Sequence, residues 1–440
     1  MRYDDAIKFI YNLELFGIKM GLDNITRFLD HLGNPQNTFQ AIHVAGTNGK
    51  GSVSSLMFSV LCKAGYNAGV FTSPHLVDFR ERFRTCAGNI DKRALADFVG
   101  EHKQFIIDAR ITFFEISTAL AFWYFRKMGV EIAVVEVGLG GRLDATNVIK
   151  PKLSVITHID FDHTKNLGPT LDLIAREKAG IIKADVPLVT GEKRPEILKL
   201  FQDYCDERGT RLHKATKMSR KFQYVSGGMR FEHKIKGSSE DSLVSSLAGA
   251  HQIDNIGIVL KCVELLNRSG VPIGAKAVRS GLRHCQWPAR FQKVASSPTI
   301  ILDAAHNADG TRALVATFEQ AFPGRKVLLL CGFLERPDHD VMMREYAKIT
   351  QRAVLTKPGS TRAAEIEGVI WAAVGAGIDF DVKMKVADAV DRILHIAAKK
   401  DIILISGSHY TLGEAITRLH QLRDRKQISL LTADITLMNG

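Results

Sequence analysis

Two hydrophobic textures alternate along the chain. Short, almost unbroken apolar runs end in glycine or polar residues, and between them apolar positions recur at helical spacing. QAIHVAG (40–46), NAGVFTS (67–73), EIAVVEVGLGG (131–141) and KLSVITHID (152–160) are of the first kind. Such runs suit parallel strands buried on both faces. After the first run, Val53, Leu56, Met57, Val60, Leu61 and Ala64 form one helical stripe. Gly65 is placed to stop that helix. The opening strand–helix–strand stretch therefore reads as a βαβ unit.

From residue 299 the alternation becomes strict. TIILD, KVLLLCGF, RAVLT, IDFDV and DIILISG predict five strands, each followed by a helix. That is a doubly wound parallel sheet. The Trp-Pro and Ser-Ser-Pro punctuation of QWPARFQKVASSP predicts a linker over 291–298. FQYVSGGMRFEHKIK (222–236) holds two alternating runs around Gly-Gly and predicts a hairpin. The expected fold class is α/β. It comprises a P-loop-type nucleotide-binding domain over 1–290 with a small β insertion, the linker, and a Rossmann-like domain over 299–440. Two sheets imply a cleft where their strands' carboxyl ends meet.

Composition narrows the class. At 45% hydrophobic and 24% charged residues the chain is an ordinary globular one. No apolar run reaches the ~18–20 residues of a membrane span, so no membrane partner is expected. MRYDDAIKFI lacks the basic-then-apolar pattern of a secretory signal. The six cysteines are scattered without a CxxC pair. They predict neither a disulfide framework nor a zinc site, and a cytoplasmic setting. The net charge of +12 admits polyanionic partners. Residues 211–237 hold eight Lys/Arg against one Glu, read either as an anion-binding surface or as a solvated face.

The first strand runs into GTNGKGS. Gly46, Gly49 and Gly51 let the backbone approach a ligand closely. The helix beginning near Ser52 aims free N–H groups into the loop, Lys50 adds a charge, and Ser52 offers a hydroxyl to Mg²⁺. The standard phosphate loop would have glycine at Val44 and Ser or Thr directly after the lysine, where Gly51 stands. Glu136 ends an apolar run and His163 follows the strand 153–159. Each is either a magnesium ligand or a structural residue. In TLDLIAREKAGIIK, Lys178 shares the stripe of Leu171, Ile174, Ala175 and Ile182. Either it snorkels, or it is a desolvated amine that can meet phosphate or take up CO₂ as a carbamate.

At these residues the sequence resembles the Mur ligase superfamily, and within it the folylpolyglutamate synthase and dihydrofolate synthase family. HVAGTNGKGS, FTSPHL, FFEISTALAF, VEVGLGGRLDATN, DHTKNLG, IAREKAGI, AGAHQIDN, WPARFQ, LDAAHNADG and GSHYTLGE occur in the family's order. The resemblance implies an ATP-dependent amide ligase with a Mur-ligase-like central domain. It would join L-glutamate to dihydropteroate or a reduced folate through an acyl phosphate, acting as a monomer. Gly46, Thr47, Asn48, Gly49, Lys50, Gly51 and Ser52 would hold the nucleotide's phosphates. Asn255, Arg290 and Asp303 would contact the nucleotide, with His306 catalytic at the cleft beside Lys50 and Lys178. Ser52, Glu136 and His163 would hold Mg²⁺, and a carbamylated Lys178 would help bind a second. Ser73 and His75 would meet the pterin-bearing substrate, Ser408 and Tyr410 the glutamate. For Asp303 a helix-terminal role stays open, and for Ser408 a turn role. Two positions depart from the family pattern. Ala289 stands where glycine is usual, and GFLERPDHD replaces Asp-Lys-Asp.

Two other readings compete. A UDP-muramoyl-peptide ligase of the same superfamily would carry a further uridine-binding domain, and only about 40 residues precede the loop. A basic nucleotide-dependent nucleic-acid-binding protein would need a recognition motif, and none is found. No nucleic-acid partner is therefore expected.

Overall fold

The computed structural model describes residues 1–13, 17, 21–225, 227–235, 239–336 and 338–431. Its first sheet has eight strands. Gln40–Ala45 lies at the centre, between Ile132–Glu136 and Leu153–Ile156. These three pair in parallel, Val44 standing opposite Glu136 on one side and Val155 on the other. The apolar runs are explained by cover on both faces. Ile42 and Val44 pack with Val53, Leu56 and Met57 of the helix Lys50–Lys63. Ala41, Ala133 and Val135 pack with Ile116 and Leu120 of the helix Phe113–Lys127. That second helix starts at a capping box, in which the Thr112 hydroxyl accepts from Glu115 N and the Glu115 carboxylate from Thr112 N. Gly65 follows the first helix with a φ of 93°, as expected.

The second sheet realises the strict alternation. Thr299–Leu302, Ile402–Ser406, Val327–Cys331, Thr350–Thr356 and Phe380–Lys383 lie side by side in parallel, in that order. The segment 291–298 differs from its reading as a linker. Gln292–Ser296 is a strand, antiparallel to Thr299–Leu302 at the sheet's edge. The chain thus passes from one sheet to the other before residue 292. The hairpin is present as Gln223–Val225 and Gly228–Glu232, joined by a third strand, Ser242–Ser245. Ser226 and Lys236 of its sequence lie outside the described residues.

One expectation from the cysteines is corrected. Cys62 and Cys86 form a disulfide. Cys62 closes the helix Lys50–Lys63, and Cys86 follows the strand Phe83–Thr85. That strand pairs antiparallel with Ala68–Phe71, which begins a few residues beyond the helix. A separation of 24 in sequence becomes 5.7 Å between Cα atoms. Spacing patterns cannot reveal a pair made by strand pairing. The other four cysteines are free and buried. No helix among the described residues is long and apolar enough to cross a membrane.

Candidate active site

The glycine-rich loop sits at the carboxyl end of the central strand, where successive connections leave to opposite sides, the position at which open α/β sheets bind ligands. Its helix begins at Lys50, slightly earlier than the sequence suggested. Gly46 has φ 142°, and a Cβ there would overlap Thr157 Oγ1. Thr157 Oγ1 instead donates to Asn48 O at 2.7 Å. Thr47 N donates to His158 O at 2.6 Å, and the Thr47 hydroxyl bridges Asp160 O and N at 2.9 and 3.0 Å. The loop is therefore stitched to the end of the neighbouring strand. Lys50 Nζ folds back on Gly46 O and Thr47 O, both at 3.0 Å.

Lys178 is buried, 4% exposed, and donates to the same Gly46 carbonyl at 2.9 Å. Snorkelling is thereby excluded for this side chain. Burial, then the Lys50 charge, lowers its pKa to about 7. Glu136 is 3% exposed, and burial raises its carboxyl to about 7 against the pull of Lys50, the Ser73 N–H and Arg290. It accepts one hydrogen bond, from Ser73 N at 3.3 Å. Gly46, Lys50, Asp162, His163 and Lys178 line one recess, closed by Val137–Gly140. His163 has φ 50°, and its Nε2 stands 3.7 Å from Asp162 Oδ2. Burial lowers the His163 pKa to about 4, Lys50, Arg336 and Lys178 adding to the effect while Asp162 opposes it. Burial also opposes Asp162's ionisation, yet the charges of His163, His306, Arg336 and Lys50 hold its carboxyl well below the usual range.

These residues fit a triphosphate with a divalent cation. Two lysines crowd a single carbonyl, and Glu136 has acceptor capacity that one long hydrogen bond leaves unused. Behind the loop, Ser52 is 4% exposed and accepts from Gln252 Nε2 at 3.3 Å, while Asn255 Nδ2 donates to Gln252 Oε1 at 3.0 Å. Gly49 leaves no room for a Cβ beside Asn255 Oδ1, and Gly51 none beside the Trp287 ring.

The second sheet supplies the facing wall. Asp303 receives Phe291 N and Ala305 N, each at 2.8 Å, and its carboxyl is raised by burial against the attraction of Arg290. Arg290 lies between residues of positive φ, Ala289 at 55° and Phe291 at 49°. This left-handed backbone is the physical reason a glycine suits position 289. His306 Nδ1 bonds Ala304 O at 2.9 Å, its ring 5.2 Å from that of His409. A second recess is lined by Thr72, Pro74, Glu81, Trp287, Arg290 and His409. Here the residues chosen for substrate divide. Ser73 gives its backbone N–H to Glu136, and His75 is held between Tyr11 and Arg82, at 3.0 and 2.9 Å. Ser408 caps the helix His409–Asp424, its buried hydroxyl committed to Thr411 N at 3.1 Å. Tyr410 is 42% exposed. His409, between them, is the one that lines the recess.

Asn48 turns to the opposite domain, donating to Asp309 Oδ2 at 2.8 Å and accepting from Asn307 Nδ2 at 3.1 Å. Sequence reasoning missed Asn307, Asp309, Asp162, Glu81, Trp287 and His409. Five carried a signal, lying inside HNADG, FDH, WPAR and GSHY beside residues already chosen. Glu81 carried none. Its carboxylate gathers Leu76, Val77 and Asp78 N–H groups at 2.8–3.0 Å and so shapes the SPHL loop.

Comparison with known proteins agrees with this geometry. The Mur ligase middle domain matches residues 44–263, and the Mur ligase glutamate ligase domain matches 289–409. Dihydrofolate synthase/folylpolyglutamate synthase of Bacillus subtilis is 33% identical over 95% of this chain and 99% of its own length. A probable bifunctional folylpolyglutamate synthase/dihydropteroate synthase of Haloferax volcanii is 36% identical over 95% of this chain, which spans 50% of that relative. Folylpolyglutamate synthase of Thermotoga maritima superposes with a TM-score of 0.81 at 32% identity, covering 97% of this chain and 98% of that one. The Mycobacterium tuberculosis enzyme, solved with ADP and AMPPCP, gives 0.82 at 30%, covering 94% and 98%. With domains, strand-end motifs and relatives in agreement along its length, the chain belongs to the Mur ligase family, in its folylpolyglutamate synthase/dihydrofolate synthase branch.

Proposed function

We propose that the protein is an ATP-dependent ligase that joins L-glutamate to dihydropteroate or to a reduced folate, working as a monomer in the cytoplasm. The reading is supported by full-length relatives of that activity and by an Escherichia coli relative solved with DHPP and ADP at 27% identity. One observation carries it: Lys50 and Lys178, from two separate motifs, converge on the Gly46 carbonyl at the start of a helix. That is a site built for a transferring phosphoryl group.

A carboxylate is a poor electrophile. The terminal phosphoryl group of ATP passes to a substrate carboxylate oxygen, and ADP leaves. The glutamate amine then attacks the acyl carbon, the tetrahedral adduct expels phosphate, and an amide remains. Lys50 and the first N–H groups of its helix stabilise the charge spread over the phosphoryl oxygens. Ser52, Glu136 and His163 are the residues that would hold Mg²⁺, which when bound neutralises phosphate charge. Lys178, near half neutral at pH 7, can attack CO₂ through its amine and release a proton, giving a carbamate for a second cation site. Arg290, Asp303 and Asn255 would seat the nucleotide. His306 faces the cleft where the amine arrives. The disulfide is the one feature against a reducing compartment.

The test is ADP release by purified protein with Mg²⁺, ATP and glutamate, with dihydropteroate and tetrahydrofolate assayed side by side. Glutamate-dependent release is expected with at least one acceptor and is abolished by Lys50→Ala. No release above the glutamate-free control with either acceptor would overturn the proposal.

A further inference from the structure

The segment after the strand Val327–Cys331 departs from the Asp-Lys-Asp expected of the family, and Arg336 stands within it. Arg336 does not point to solvent. Its Nη1 donates to Asp162 Oδ1 at 3.0 Å and its Nε to Asp338 Oδ1 at 3.1 Å. The Asp162 side chain is 7% exposed and that of Arg336 18%. Asp338 in turn accepts from Ala308 N at 2.9 Å, at the start of the helix that follows His306. Asp162 belongs to the first sheet's side and lines the recess with Lys50, His163 and Lys178. Its Oδ1 also accepts from His163 N at 3.0 Å. A forked cation on one sheet therefore grips the carboxylate that borders the phosphate recess of the other.

Two physical consequences follow. An unpaired Asp162 would set a negative charge beside the phosphates, in a partly buried setting where repulsion is poorly screened. Arg336 removes it. Asp162 also tethers the backbone at His163, which holds the left-handed conformation, so its orientation sets that of the imidazole. The bond to Arg336 exists only while the two sheets are together.

Resting on the ligase reading above, we propose that Arg336 is a positioning residue for phosphoryl transfer: it neutralises Asp162 and fixes His163 from across the cleft, making the phosphate recess complete only when the two sheets have closed.

The experiment measures kcat and KM for ATP and for the acceptor that supports turnover, dihydropteroate or tetrahydrofolate, separately, on full-length wild type, Arg336→Ala, Arg336→Lys and Arg336→Ala with Asp162→Asn. Arg336→Ala is expected to lower kcat roughly 30-fold and raise the KM for ATP roughly fivefold, leaving the KM for the acceptor within about twofold. Adding Asp162→Asn is expected to recover about a third or more of the lost kcat on a logarithmic scale, because the stranded anion is gone. A merely structural arginine would give an additive, deeper loss in the double variant and would move both KM values alike. If circular dichroism shows Arg336→Ala unfolded, Arg336→Lys decides. It keeps the charge but loses the fork, and a kcat roughly three- to tenfold down with the KM for ATP raised is expected. Values within twofold of wild type for the folded variant, or no recovery in the double variant, overturn the inference. A wild type without glutamate-dependent ADP release with either dihydropteroate or tetrahydrofolate would instead overturn the ligase reading.

Discussion

Replacing Lys178 by methionine should make the protein more stable and inactive together. Lys178 is 4% exposed, and its pKa falls from 10.5 to about 7. The gap corresponds to about 4–5 kcal/mol by which folding disfavours the charged amine. The folded pKa lies below the unfolded one. The penalty is therefore full below pH 7 and fades as the pH rises to 10.5. Methionine has a similar length and no charge. It also forfeits the hydrogen bond to Gly46 O at 2.9 Å, about 1 kcal/mol. A net gain of about 3–4 kcal/mol at pH 7 follows, shrinking toward zero by pH 10. Urea unfolding of both proteins in CO₂-free buffer at the two pH values measures it, with glutamate-dependent ADP release measured alongside. A variant less stable at pH 7, or one whose advantage is the same at pH 10, would refute the reasoning. So would retained turnover, since only function explains a charge kept where it destabilises.

Further outcomes are expected elsewhere. His43 is fully buried, bonded to Thr146 Oγ1 at 2.9 Å, and burial followed by the Lys183 charge lowers its pKa to about 3. Because the unfolded chain protonates first, stability should fall as the pH drops below 6.5, by about 2 kcal/mol at pH 5. His43→Gln should flatten that slope in thermal melts, and an unchanged slope counts against it. Gly46→Ala should lower ADP release by about 100-fold or more, because φ 142° is strained for any side chain and the methyl overlaps Thr157; turnover near wild type would contradict the loop geometry. Reducing Cys62–Cys86 opens a link across 24 residues and should lower the unfolding free energy by about 3 kcal/mol. Cys86→Ser should be insensitive to reductant, whereas equal urea midpoints of wild type with and without reductant would contradict the bond.

The second sheet was legible almost strand for strand. Thr299–Leu302, Val327–Cys331 and Ile402–Ser406 are covered on both faces and read as continuous apolar runs, while Phe380–Lys383 at the edge is only partly buried and alternates. Gln292–Ser296 was not legible. It is an edge strand of mixed polarity, and its partner is chosen by the sheet's border rather than by its own pattern. Within the site, Lys178 could be found because a lysine on an apolar stripe breaks the pattern. Ser408 was ambiguous because serine serves a helix cap and a ligand equally well, and the Thr411 N–H contact shows the cap. Arg336 and Asp162 lie 174 positions apart, and no local periodicity links an ion pair made between two sheets. The Cys62–Cys86 bond was hidden because strand pairing within the first sheet, and no spacing, brings its ends together.

The strand Gln292–Ser296 has a mechanical consequence. Since the second sheet already begins at Gln292, any swivel between the halves has its axle in the three residues after Pro288. Arg290 sits on that axle and travels least. Arg336, beyond a strand three places further across the sheet, lies farther from it. A small turn would leave the one in place while carrying the other out of reach of its aspartate.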